Sequence, residues 1–128
     1  MDLCIAAGVK VMAACPSADA LNTSAAAAMK ALLFYLKKIN ERPDTYKIIR
    51  TTNDIDDAIK EKKLAIYCTH QGTVLIEGHA DNVALWRQLG YGYCLLAYNQ
   101  RNPVGDGCFV KENGPLTAYG KTLIDAYN

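Results

Sequence analysis

Two peptides in this 128-residue chain carry side chains able to do chemistry at the end of an apolar run. Thr69-His70-Gln71-Gly72-Thr73 follows one such run, and Tyr98-Asn99-Gln100-Arg101-Asn102 follows another. An imidazole and an amide leaving a buried strand side by side are suited to ligate a metal or to hydrogen-bond a substrate carbonyl. A lone His at a strand end more often makes loop hydrogen bonds, and Asn99 equally suits closing a turn. Glu77, His79 and Asp81 form a third group with metal-ligand residue types. Asp81, however, stands where the next helix needs an N-cap, and capping is the role assigned to it. Trp86 lies on the apolar side of that helix and is assigned to the core.

The elements that must position these groups alternate between extended and helical patterns. Residues 9–15 form a β-type run, expected to stop at Pro16, which lacks the N–H that a ladder needs. From Ser17 to Asn40 the pattern is helical, with Met29, Leu32, Leu33, Leu36 and Ile39 at three- and four-residue steps. Residues 46–50 read as a short extended segment of undefined pairing, and Thr52 as the cap of a second helix rich in Asp at its start and Lys at its end. The apolar runs 64–69 and 93–98 have the composition of strands covered on both faces in a parallel sheet. A helix from Asp81 ends at Gly90, and another begins at Thr117 with Tyr119, Leu123, Ile124 and Tyr127 on one side. Strands near 9–15, 64–69 and 93–98 alternating with helices predict an α/β fold with about three parallel strands, in one unit over 1–128.

Composition narrows the partners. A hydrophobic fraction of 51% supports a core, and 14 Lys+Arg against 13 Asp+Glu leaves a formal charge of +1. No basic block is present to neutralise phosphates, so no nucleic-acid partner is expected. No apolar stretch approaches the length that spans a bilayer, and the opening residues lack a secretory pattern, so no membrane association and a cytoplasmic location are the expectations. Five cysteines form no CxxC pair, and Cys15, Cys68 and Cys94 lie within apolar runs, which suggests buried free thiols. No glycine-rich phosphate loop follows either good strand, which argues against a nucleotide-binding domain.

In chain order the sequence carries Gln71-Gly72-Thr73, Leu85-Trp86-Arg87-Gln88-Leu89-Gly90, Tyr98-Asn99, Asn102-Pro103-Val104-Gly105-Asp106 and Gly114-Pro115-Leu116-Thr117-Ala118-Tyr119-Gly120. In spacing these resemble the middle of the renal-type (membrane) dipeptidases of the amidohydrolase-like barrels, where the corresponding peptides are Glu-Gly-Gly, a Leu-Arg helix ending Leu-Gly, Thr-His-Asn, Asn-Pro-Trp-Ala-Asp and Gly-Leu-Thr-x-x-Gly. The register needs no gap from Gln71 to Asp106, and residues 1–63 fit the preceding elements in outline. In the same register His79-Ala80-Asp81 falls outside the family's metal centre.

The resemblance implies a partial (β/α)₈ barrel, an architecture of about 250 residues when complete. It also implies a metal-dependent hydrolase of small peptide or amide substrates, with zinc held in the full-length family by ligands from several strands. Gln71 then occupies the position of the family's metal-bridging Glu, and Tyr98 that of a substrate-side His, with Asn99 and His70 as further substrate-binding candidates. A neutral amide bridges two cations far less well than a carboxylate. The 128 residues alone are therefore expected to bind no zinc and to be inactive, and to self-associate or pair with the missing part of the barrel. The alternative is a non-catalytic, barrel-derived module for interaction or small-molecule binding.

Overall fold

The structure, a computed structural model, describes residues 1–18 and 24–128. In chain order the elements are α1 (Asp2–Ala6), β1 (Val11–Ala18), α2 (Ala25–Asn40), β2 (Tyr46–Ile48), α3 (Thr52–Lys60), β3 (Leu64–Gln71), α4 (Asn82–Gln88), β4 (Tyr91–Leu95) and α5 (Ala118–Tyr127), with a 3₁₀ turn at Val74–Ile76. All strand pairings are parallel. β3 is central. One edge pairs with β1, and the other is shared end to end by β2, opposite Leu64–Ile66, and β4, opposite Cys68–Gln71. The sheet is thus three strands wide, as the apolar runs imply, but contains a fourth short strand where the 46–50 segment had no assigned partner.

Several boundaries differ from the sequence expectation. β1 continues through Pro16, because its ladder with β3 is already irregular between Ala14 and Ser17, so the missing N–H leaves no regular bond unmade. Ser17 and Ala18 are therefore strand, paired with His70 and Gln71. α2 starts after Ser24, whose side chain accepts from Ala27 N–H; residues 19–23 of the expected helix lie outside the described residues. β4 begins two residues earlier and ends three earlier than the 93–98 run. Its pairing stops at Leu95 because β3 leaves the sheet at Gln71, with Gly72 N–H to Leu95 C=O as the closing bond. α3 is capped by Thr51 rather than Thr52, in a reciprocal capping box with Asp54. Asp81 does stand at the N-cap of α4, but its side chain makes no capping bond.

The two faces of the sheet differ. Leu64, Ile66, Cys68 and His70 point toward α2 and α4, where Ala28, Leu32, Leu75, Val83, Trp86, Val104 and Leu123 form the largest buried cluster around Cys68 and Tyr91. Each such aliphatic side chain contributes on the order of 1.5–3 kcal/mol by leaving water. Among the described residues the opposite face is covered only at its lower end, where Ala58 and Ile55 of α3 pack on Ala65, Tyr67 and Val11. Above that, Ala13, Cys15 and Tyr93 are exposed on the strands. Of the five cysteines only Cys68 is fully buried, and burial pushes its thiol up to about 11. No helix among the described residues is long and apolar enough to cross a membrane.

Candidate functional site

The parallel strands deliver their chemistry-bearing residues to one end of the sheet, the C-terminal end of β3 and β4. Alternation along β3 sends neighbouring residues to opposite faces. Gln71 projects on the thinly covered face, with Ala18 and Leu95 as its partners across the strands. His70 projects into the helix-covered side and is 1% exposed. The two residues adjacent in sequence are therefore not brought together.

His70 belongs instead to a buried polar chain contributed by three strands. Its Nδ1 lies 2.6 Å from Ser17 Oγ, which lies 2.8 Å from the Tyr91 hydroxyl. Burial pushes the Tyr91 phenol up to about 12, so it stays protonated and able to donate. The chain is satisfied when Tyr91 O–H donates to Ser17 Oγ and the Ser17 O–H donates to Nδ1. Trp86 packs edge-on to Tyr91, with ring centroids 5.3 Å apart, and its Nε1–H donates to Leu75 C=O. The core position read for Trp86 is the observed one. Ser17 and Tyr91 carried no signal in the sequence, because Pro16 masked the continuation of β1 and the run from Tyr91 to Tyr98 is uniformly apolar.

Tyr98 and Asn99 lie beyond β4, in a loop that closes on itself. Cys108 N–H donates to Tyr98 C=O and Phe109 N–H to Asn99 C=O, while Asn99 Oδ1 accepts from the Cys108 thiol. Asn102 Nδ2 donates to Leu96 C=O, and its Oδ1 accepts from the N–H groups of Val104 and Gly105. Asp106 pairs with Arg101 and accepts from Gly114 N–H; the guanidinium first, then that N–H, hold its carboxyl below the usual range. The Asn-Pro-Val-Gly-Asp peptide is thus a self-supporting scaffold. Tyr98, 42% exposed, and Asn99 both line a cavity of about 610 Å³ between this loop and residues 73–78. Neither Gln71 nor His70 lines it.

A two-metal centre does not fit the donors among the described residues. Gln71 offers a neutral amide oxygen where a bridge between two cations calls for a carboxylate. Among the described residues no group of three or more His, Cys, Asp or Glu is placed to hold a metal. Glu77, His79 and Asp81 are exposed and form no such group.

The family model described as membrane dipeptidase (peptidase family M19) matches residues 6–128. The crystal structure of an amidohydrolase from Pseudomonas aeruginosa superposes with a TM-score of 0.85 at 24% identity, covering 95% of this chain and 36% of that one. The architecture is that of a partial (β/α)₈ barrel, and this chain spans about a third of the solved relative's length. A search of curated proteins returns no match.

Proposed function

The chain belongs to the membrane dipeptidase family, and from that membership we infer that the protein containing it hydrolyses peptide or amide bonds in small substrates. The observation that supports a role for this segment is the delivery of Gln71 and of the Tyr98–Asn99 loop to the C-terminal ends of two adjacent parallel strands, where barrel enzymes keep their chemistry. In this reading Gln71 orients a substrate or water by its amide, Tyr98 and Asn99 hydrogen-bond the peptide, and His70 acts from behind by fixing β3. Zinc, where the whole protein holds it, takes its ligands from outside the described residues. The 128-residue chain alone is inactive and pairs with the rest of the barrel or with itself through its uncovered face.

One feature favours a second reading, a non-catalytic barrel that binds a small molecule: the resemblance sets Gln71 at the position of the family's bridging carboxylate, and Gln71 is neutral. A single experiment separates the two. The protein with its barrel complete is assayed for cleavage of unblocked dipeptides, and its zinc is counted by elemental analysis, with Gln71→Glu alongside. Turnover that falls with Tyr98→Phe and Asn99→Ala supports the hydrolase. No turnover across a dipeptide panel, in wild type and Gln71→Glu alike, overturns it.

A further inference from the structure

We propose that Tyr93 is a further substrate-binding residue, its phenol aimed by a β-bulge onto the sheet face that carries Gln71. Tyr91 and Tyr93 stand two apart in one short strand, a spacing that in a regular ladder sends both side chains to the same face. Here they part. Tyr91 is 4% exposed, against Trp86 and Ser17, whereas Tyr93 is 57% exposed. The cause lies in the register: Tyr91 pairs with Cys68 and Tyr93 with Thr69, so two steps of β4 oppose one step of β3, and Gly92 is the extra residue. Such a bulge re-aims the side chain that follows it. Thr69 and Gln71 alternate onto one face of β3, and Tyr93, as the partner of Thr69, joins them there.

Tyr93 and Gln71 lie on neighbouring strands and two residues apart in register, which sets their Cα atoms about 8 Å apart, close enough for two long side chains to hold one small molecule. In a complete (β/α)₈ barrel this face is the interior, where a tyrosine hydroxyl needs a hydrogen-bond partner. The side chains beside Tyr93 on that face are short, and the polar ones turn their hydrogens to the backbone: Thr69 Oγ1 donates to Ala14 C=O at 3.4 Å and the Cys15 thiol to Ser17 C=O at 3.2 Å. The longer phenol stands beyond them. Its O–H is suited to donate to an oxygen acceptor, which a small peptide presents in its amide carbonyl and its carboxylate. This role rests on the hydrolase reading and gives that site a hydrogen-bond donor from within β4, in addition to the Tyr98–Asn99 loop that follows it.

The test is steady-state kinetics of the protein with its barrel complete, on the unblocked dipeptide that it cleaves fastest, for wild type and Tyr93→Phe, with urea midpoints measured on both. Tyr93→Phe keeps the ring and removes only the hydroxyl. It should raise KM about fivefold, the worth of one hydrogen bond to substrate, leave kcat within about twofold, and leave the urea midpoint unchanged. An unchanged KM overturns the assignment while hydrolysis stands. A raised KM accompanied by a lower urea midpoint also overturns it, since the hydroxyl then supports the fold rather than the substrate. Wild type that cleaves no dipeptide overturns the hydrolase reading itself, and this role with it.

Discussion

Ser17 is a small hydroxyl on a strand, yet it joins three strands through two hydrogen bonds, to His70 at 2.6 Å and Tyr91 at 2.8 Å. At 1% exposure it has no water to substitute for those partners. Ser17→Ala removes both hydrogen bonds at once and leaves the buried Tyr91 hydroxyl without the Ser17 oxygen it bonds, which costs about 1–3 kcal/mol, whereas Tyr91→Phe removes one of the two and leaves Ser17 its bond to His70. Urea midpoints should therefore fall further for Ser17→Ala than for Tyr91→Phe. Equal midpoints for Ser17→Ala and wild type would show that the chain contributes nothing. The same residue illustrates why sequence reading stopped short: the signal of Pro16 is local, and the irregular pairing that accommodates it depends on β3, some fifty positions away.

Gly120 sets two element-level effects against each other. Gly120 stands in the first turn of α5, its N–H capped by Thr117, and on helix propensity alone alanine is favoured over glycine by at most about 1 kcal/mol. A Cβ there, however, would sit 2.5 Å from the Val104 carbonyl oxygen and 2.8 Å from Leu116, and such overpacking costs about 1–3 kcal/mol. The backbone contact cannot rotate away, so Gly120→Ala should lower the melting temperature. A rise would mean that the 102–106 loop yields easily.

The N-terminus of α3 yields a pH dependence. The N–H groups of Arg50 and Thr51, with the Thr51 hydroxyl, hold the Asp54 carboxyl below its usual 3.8. Its contribution is thus fully present above the unfolded value near 3.8, and is lost as pH falls through the lower folded value. The stability gap between wild type and Asp54→Ala should be constant near neutral pH and shrink below about pH 4. A gap unchanged down to pH 3 would refute the assignment.

The uncovered face dominates the molecule as a whole. β1 and β4 each keep an edge without a strand partner among the described residues, and Ala13, Cys15 and Tyr93 remain exposed between them. Free parallel edges and a bare sheet face promote association. Light scattering of the 128-residue chain should give a mass that rises with concentration, and Cys15 should react with a thiol reagent in the chain alone but be protected once the barrel is complete. A monodisperse monomer, or equal Cys15 labelling in both forms, would contradict this account.

Periodicity and run composition were enough to determine the alternating α/β order, the parallel strands and the core placement of Trp86 and Leu123, because each depends on neighbours within a few residues. The tertiary structure alone decided the rest. It extended β1 through Pro16, seated β2 and β4 end to end on one edge of β3, and ended β4 where β3 departs. It also turned His70 and Gln71 to opposite faces. Those outcomes depend on register between strands distant in sequence, and a shift of one residue in such a register would exchange the two faces.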